Sequence, residues 1–289
     1  MRLIFWIASH VYSAYSGVIA VVTTQYKPRV AASSFLNSAP LIWSFTHGSH
    51  QGDVELTDAV PAKCADLLAA DAADFALVPV IEFQRIEGSQ LVPDVCVGSH
   101  EKVRSVVLVS RLDDLKKVTS VALDQSSRTS ATLVKIFFKE FLRIEPRWTT
   151  AIPDLKAMLQ ENDAALIIGD PGMLFSREHL HVWDMAALWR EHTGLGFVFA
   201  MWMARNSALP QPDFAGARRE GLAKIEEIVS AYANKTALLP DAIRDYLNYN
   251  IVFQIDDDLS QGMELYFQLA YKHGLTPNLK PLSFLRSLI

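Results

Sequence analysis

Short apolar segments alternate along the chain with amphipathic segments of helical period. Apolar runs bounded by turn residues predict strands. The predicted strands are 29–33, 54–60, 74–80, 92–97, 105–110, 120–124, 147–150, 164–168, 182–184 and 197–203. Helical spacing of apolar side chains predicts one helix that begins at Pro61. It predicts further helices at 129–142, 153–160, 185–192, 215–233, 241–249 and 259–273. Between the first two strands, residues 35–40 read as a turn, and His47 and His50 fall in a predicted polar loop.

Strands that alternate with helices indicate an α/β protein whose sheets are mainly parallel and covered on both faces. The alternation restarts near residue 115, and a late apolar strand follows near residue 200. We therefore predict two lobes joined by two crossing segments. The first lobe is formed by 29–112 and 205–289, and the second, 113–204, is inserted into it. A cleft between the lobes, at the carboxyl ends of the strands, is the expected ligand site.

Composition narrows the classes of function. Half of the 289 residues are hydrophobic, a fifth are charged, and the formal net charge is -5. This balance, without any cluster of Lys and Arg, argues against a nucleic-acid partner. Cys64 and Cys96 lack the spacing of a zinc site, which favours buried free thiols. Nucleotide-binding glycine motifs and metal-binding histidine motifs are absent from the sequence, so we predict neither a cofactor nor a metal.

The first 28 residues differ from the rest of the chain. Residues 3–22 contain no formally charged side chain, although several Ser, Tyr and His residues interrupt the apolar run. Three interpretations are open: an export signal, a weak membrane anchor, or a dispensable extension upstream of the true start. We favour the extension and predict a cytoplasmic protein without a membrane partner; an anchored or exported protein is the alternative.

The strongest local signal for a ligand is the segment 124–130. A buried strand ends at Asp124, several hydroxyl residues follow, and an apolar-periodic helix begins. Free backbone N–H groups at a helix start favour an anion, and the hydroxyls of Ser127, Thr129 and Ser130 add donors. The alternative is that Ser126, Ser127 or Thr129 only caps the helix.

Three further candidate site positions lie at the ends of predicted strands. Asn37 lies in the turn after the first strand, where it can both donate and accept, or can simply stabilise the turn. Ser105 begins the strand that leads toward the second lobe, and no G-x-S-x-G motif surrounds it. Gly169 and Asp170 follow the strand 164–168; Asp170 is a candidate base or acceptor, or a turn former.

Six motifs, taken together and in their order along the chain, resemble those of the chorismate dehydratases of the futalosine route to menaquinone. The motifs are Asn37-Ser38-Ala39-Pro40, Phe75-Ala76-Leu77-Val78-Pro79, Val103-Arg104-Ser105-Val106, Asp124-Gln125-Ser126-Ser127-Arg128-Thr129-Ser130, Ile167-Ile168-Gly169-Asp170 and Thr193-Gly194-Leu195-Gly196-Phe197-Val198-Phe199-Ala200. The resemblance spans about residues 29 to 285. It implies the two-lobed fold of type II periplasmic binding proteins, with a central cleft and two crossing segments.

The resemblance also implies the chemistry. The small-molecule partner would be chorismate, and the reaction would be loss of water to give 3-[(1-carboxyvinyl)oxy]benzoate. Asn37 and Ser105 would be catalytic, orienting the ring and the leaving hydroxyl. Ser127, Thr129, Ser130, Gly169 and Asp170 would bind the substrate, and the base would be either the enolpyruvyl carboxylate of the substrate or Asp170.

Two rival functions remain on the same fold. The first is a solute-binding protein without catalysis, which the apolar amino-terminal run favours. The second is the sister 1,4-dihydroxy-6-naphthoate synthase of the same pathway, which carries a Ser-Pro-Cys-Pro-Asn-Asp type stretch in the first loop. Here that loop reads Ser34-Phe35-Leu36-Asn37-Ser38-Ala39-Pro40, which favours the dehydratase. A homodimer is the candidate assembly, but the sequence does not reveal the oligomeric state.

Overall fold

The computed structural model describes residues 26–206 and 208–286. Within this part of the chain, ten strands form two five-stranded sheets. The strands are β1 (Arg29–Ala32), β2 (Glu55–Asp58), β3 (Phe75–Pro79), β4 (Gln90–Ser99), β5 (Val106–Ser110), β6 (Ser120–Asp124), β7 (Arg147–Ala151), β8 (Ala164–Ile168), β9 (His181–Asp184) and β10 (Phe197–Ala204).

Both sheets repeat one arrangement. The first has the order β2-β1-β3-β10-β4, and the second has the order β7-β6-β8-β5-β9. In each sheet three parallel strands are followed by one antiparallel strand, β10 or β5. That antiparallel strand arrives directly from the other sheet, because β5 follows β4 and β10 follows β9 and a helix. The protein therefore has the predicted two lobes and two crossing segments: the first crossing, residues 100–105, precedes β5, and the second crossing, residues 194–196, precedes β10.

Burial explains why these sequences form strands. β3, β5, β6 and β8 are buried along their whole length, as expected for continuous apolar runs covered by helices on both faces. The edge strand β2 is mostly exposed, and its sequence is correspondingly mixed. The loops after the carboxyl ends of the parallel strands carry the predicted site residues, except Ser105, which directly precedes the antiparallel strand β5.

Helices cover both sheets. They are α1 (Ala39–His47), α2 (Pro61–Ala69), α3 (Glu82–Arg85), α4 (Thr129–Ile136), α5 (Leu155–Glu161), α6 (Met185–Thr193), α7 (Phe214–Ala223), α8 (Ile225–Ala233), α9 (Pro240–Asp245) and α10 (Asp257–Lys272). Two of them continue as π-helical segments, Phe137–Leu142 after α4 and Tyr246–Asn250 after α9.

The turn and polar loop predicted at 35–50 are wrong in part. A 3-10 turn, Leu36–Ser38, leads directly into α1, whose residues from Ala39 to Phe45 are all buried. Pro40 stands in the first turn of this helix, where a proline costs no backbone hydrogen bond. Because α1 is buried nearly all round, it lacks the amphipathic period that reveals a surface helix.

The predicted lobe boundaries at 112 and 204 do not coincide with the division between the sheets. β5 pairs with β8 and β9 in the second sheet, although residues 106–110 were assigned to the first lobe. β10 pairs with β3 and β4 in the first sheet, although it was assigned to the second lobe. A strand that crosses over joins the sheet it enters, and hydrophobicity alone does not show which sheet that is.

The prediction of buried free thiols is confirmed. Cys64 and Cys96 are buried free thiols, and burial raises the pKa of Cys64 to about 12. Trp189 and Trp202 lie in the core. Within the described residues no helix is long and apolar enough to cross a membrane. The predicted extension lies mainly outside the described residues, since these begin at Tyr26, and it stays a prediction.

Candidate functional site

The predicted site residues lie where the two lobes meet. The loop after β1 contacts the loop after β8, since the backbone N–H of Leu36 donates to Asp170 Oδ1 at 3.1 Å. The loop after β3 contacts the start of α4, since the N–H of Ile81 donates to Thr129 Oγ1 at 3.3 Å. The four loops therefore form one interface at the carboxyl ends of β1, β3, β6 and β8.

The segment 124–130 is fixed from within. The carboxylate of Asp124 is buried and accepts from the N–H and the hydroxyl of Ser126 at 2.9 and 2.6 Å. Its other oxygen accepts from the N–H of Ile168 at 3.4 Å, which joins this segment to the end of β8. The N–H of Ser127 donates to the carbonyl of Asp124 at 3.0 Å. The turn is thus held in shape independently of any ligand.

Side-chain capping does not explain the hydroxyls of this segment. The residue that precedes α4 is Arg128, and its side chain makes no cap hydrogen bond. Ser126 is bonded to Asp124, whereas the hydroxyls of the buried Ser127 and Ser130 have no hydrogen-bond partner among the residues described. Together with the free N–H groups of the first turn of α4, they are donors available to an anion.

Arg128 does not supply a positive charge to this site. Its guanidinium donates to Glu82 Oε2 at 3.0 Å and to Asp66 Oδ1 at 2.6 Å, both on the first lobe. The arginine is therefore neutralised by two carboxylates and links the lobes. Any anion at the start of α4 would be held by uncharged donors.

The turn that carries Asn37 contacts Gly169 and Asp170 across the interface through Phe35 and Leu36. Asn37 is half-buried, and its Oδ1 accepts from the hydroxyl of Ser38 at 3.3 Å. Gly169 has a φ of 67°, and an added Cβ would lie 2.9 Å from the ring of Phe35, so only glycine fits there. Burial raises the pKa of Asp170, and the N–H of Leu36 partly opposes this shift.

Ser105 lies at the end of the first crossing segment. It is fully buried, and its Oγ accepts a hydrogen bond from the phenol of Tyr246 at 2.7 Å. The two preceding residues, Val103 and Arg104, donate their N–H groups to the carboxylate of Asp184. Arg104 has a φ of 62°, a conformation that costs free energy for a residue other than glycine.

Sequence reasoning missed Tyr246 and Asp184. Asp184 precedes α6 and accepts from the N–H groups of Ala186 and Ala187, so the rule for helix N-caps would have found it. Tyr246 carries no comparable signal, because nothing in the sequence relates a tyrosine in the last third of the chain to Ser105. Only the fold brings these two residues together.

Two cavities lie away from this interface. One of about 310 Å³ is bounded by α10 and residues 279–282, and one of about 490 Å³ is bounded by residues near Gln90 and Gln211. Neither is lined by a predicted site residue. Within the described ranges, no group of three or more His, Cys, Asp or Glu residues is arranged to hold a metal ion.

This architecture is that of the two-lobed periplasmic-binding-protein-like folds. Protein AF1704 from Archaeoglobus fulgidus superimposes with a TM-score of 0.71 at 17% identity, over 86% of this chain and 98% of that one. The periplasmic aliphatic sulphonate binding protein SsuA from Escherichia coli superimposes with a TM-score of 0.57 at 15% identity, over 92% and 96% of the two chains. At such identities the likeness concerns the fold alone.

The sequence comparison is more specific. The chain belongs to the menaquinone biosynthesis family, whose model matches residues 28–272. A chorismate dehydratase of Thermus thermophilus is 29% identical over 230 residues, which cover 72% of this chain and 83% of that protein. A chorismate dehydratase of Campylobacter jejuni is 28% identical over 152 residues, which cover 52% of this chain and 54% of that protein. The resemblance drawn from the six motifs is therefore confirmed.

Proposed function

We propose that the protein is a lyase, a chorismate dehydratase that eliminates water from chorismate to give 3-[(1-carboxyvinyl)oxy]benzoate on the futalosine route to menaquinone. The observation that carries the proposal is the set of uncharged donors at the start of α4, at the junction of the lobes. Membership of the menaquinone biosynthesis family and the two relatives named chorismate dehydratase support it.

The reaction does not require a strong acid or a strong base from the protein. A proton leaves the ring carbon that bears the enolpyruvyl ether, and the electrons of that C–H bond form the new ring double bond. The neighbouring C–O bond breaks and its hydroxyl departs, so that the proton and the hydroxyl together are one molecule of water. Because the product ring is aromatic, the elimination is strongly downhill, and correct orientation is the main contribution expected of the enzyme.

Each site residue has a proposed role. Hydroxyls of Ser127, Thr129 and Ser130, with the N–H groups of α4, hold one substrate carboxylate. Asn37 and Ser105 orient the ring and its leaving hydroxyl from the opposite side. Gly169 admits close approach of Phe35, and closure of the lobes excludes water from the reacting atoms.

Two carboxylates can take the proton: the enolpyruvyl carboxylate of the substrate and Asp170. Burial raises the pKa of Asp170, which strengthens it as a base, but one of its oxygens is occupied by the N–H of Leu36. The variant Asp170→Asn decides between them. Near-normal turnover assigns the proton to the substrate, and a loss of a hundredfold or more, on the order expected for general-base catalysis, assigns it to Asp170.

The proposed function is tested by incubating the purified protein with chorismate and following the aromatic product by absorbance and chromatography. We expect turnover without any added metal or cofactor. Binding of chorismate without product would contradict the dehydratase and would favour a solute-binding protein, the function suggested by the fold of the sulphonate binding protein.

A matched pair of variants tests the carboxylate site. Ser130→Ala removes a hydroxyl that has no partner among the described residues, and we expect KM to rise about tenfold, as for the loss of one hydrogen bond to a charged group. Ser126→Ala removes a hydroxyl that is bonded to Asp124 and so is not offered to the substrate; because the N–H of Ser126 still binds Asp124 and keeps the turn, we expect KM to change less than about twofold. Equal effects of the two variants would place the carboxylate elsewhere.

A further inference from the structure

Tyr246 contacts Ser105 from a separate part of the fold. It belongs to the π-helical segment Tyr246–Asn250, which follows α9, whereas Ser105 ends the first crossing segment. The two oxygens are 2.7 Å apart, and both residues are almost completely enclosed, with exposed fractions of 1% and 0%. π-helical segments are rare and often mark functional sites, so the position of Tyr246 invites a functional explanation.

The direction of this hydrogen bond follows from the chemistry of the two hydroxyls. A phenol is a better donor than an aliphatic alcohol, so Tyr246 donates and Ser105 accepts. Burial raises the pKa of Tyr246 well above its usual value, so that the phenol keeps its proton near neutral pH. Ser105 is therefore supplied with a permanent donor.

This arrangement leaves the proton of Ser105 unused. Among the residues described, the bond from Tyr246 is the one hydrogen bond that the Ser105 hydroxyl makes, although the side chain is fully buried. Buried polar side-chain atoms normally have at least one hydrogen-bond partner, and Tyr246 meets this need for the Ser105 oxygen without using its proton. With one lone pair occupied by Tyr246, the O–H bond of Ser105 is restricted to the directions that remain.

The backbone on either side is equally constrained. The N–H of Ser105 donates to the carbonyl of Val103 at 2.7 Å, and Arg104 is held at a positive φ by its bond to Asp184 at 2.6 Å. Strained backbone of this kind persists where surrounding contacts enforce it. Both the main chain and the side chain of Ser105 are thus fixed in advance.

We infer that Tyr246 is a positioning residue, which orients the Ser105 hydroxyl so that its proton points at the leaving hydroxyl of the substrate. Tyr246 itself does not touch the substrate; it acts through Ser105. The inference rests on the proposed function, since it assigns a role within the dehydration. It predicts that the phenol hydroxyl affects the chemical step and not the binding of substrate.

The test is a double-mutant cycle on turnover of chorismate. Tyr246→Phe keeps the ring and removes the donor, and we expect kcat to fall about tenfold, the equivalent of one hydrogen bond, while KM stays within about twofold. In the Ser105→Ala background the same Tyr246→Phe change is expected to leave kcat unaltered, because the hydroxyl that it orients is gone. Tyr249→Phe, on the exposed face of the same π-helical segment, is the control and leaves both constants unchanged.

A merely structural role gives a different pattern. It would lower kcat by the same factor with and without Ser105, or would raise KM, and either result overturns the inference; so does an unaltered kcat in Tyr246→Phe. Circular dichroism of each variant confirms that the loss is not one of folding. If the unmodified protein makes no product, the proposed function fails first, and the inference falls with it.

Discussion

The two crossing segments are each held by one aspartate, but in different chemical surroundings. Asp184 accepts the N–H groups of Val103 and Arg104 in the first crossing, at 3.2 and 2.6 Å. Asp258 accepts the N–H of Gly196 in the second crossing, at 3.0 Å. A carboxylate that accepts hydrogen bonds from backbone N–H groups holds an irregular segment of chain strongly, because the accepting oxygen atoms carry negative charge.

The difference lies in the other partners. Asp184 is surrounded by uncharged donors, since it also caps α6 through the N–H groups of Ala186 and Ala187; burial raises its pKa, and the four N–H groups act in the opposite direction. Asp258 has a side chain that is one-third exposed, and it pairs with Arg190 at 2.9 Å and with His100 at 3.0 Å.

These surroundings predict different stiffness. Hydrogen bonds sheltered from solvent are stronger than ion pairs near the surface, which salt screens and which contribute about 1 kcal/mol or less. The first crossing, which carries Ser105, is therefore expected to be the more rigid of the two. The second crossing is expected to yield first when the lobes move relative to each other.

Asp184→Ala should have the largest effect. It removes the cap of α6 and leaves two crossing N–H groups without an acceptor, so we expect the free energy of unfolding to fall by about 3 kcal/mol. Asp154→Ala is the matched control, because Asp154 caps α5 through a single bond to Ala157 and touches no crossing; it should cost about 1 kcal/mol. Urea denaturation measures both, and equal losses would show that Asp184 is only a helix cap.

Gly262→Ala should have an intermediate effect on the second crossing. An added Cβ on α10 would overlap with the carbonyl oxygen of Gly196, so the helix or the crossing must shift. We expect a loss of about 2 kcal/mol by the same measurement, since overpacking of this kind is destabilising. Gln261→Ala, on the exposed side of α10, should be nearly neutral; an equally neutral Gly262→Ala would mean that the second crossing moves without cost.

Asp258→Asn should have the smallest effect. It removes the charge that pairs with Arg190 and His100, and we expect a loss of about 1 kcal/mol at low ionic strength that diminishes toward zero in about 1 M salt. Asp257→Asn changes the same charge in the first turn of α10 on an exposed side chain, and should cost less than about half as much. A loss that persists undiminished at high salt would show that the second anchor resembles the first.

Much of the fold was predictable from local pattern. The strands at 120–124 and 164–168 were predicted with the bounds that the structure has, because each is a continuous apolar run with turn residues on both sides. α1 was missed because it is buried on every side, and the single helix predicted at 215–233 is two helices, which meet at Lys224. The membership of β5 and β10 was wrong because pairing partners lie far apart in sequence.

The candidate site divides in the same way. The sequence by itself determined which loops follow buried strands and which of them carry hydroxyl, amide and carboxylate groups, because turn chemistry is local. Only the tertiary structure decided that Asp170 binds the N–H of Leu36, that Arg128 is neutralised by Glu82, and that Tyr246 donates to Ser105. Each of these contacts joins residues 46 to 141 positions apart, and such contacts depend on how the two sheets pack and not on any local pattern.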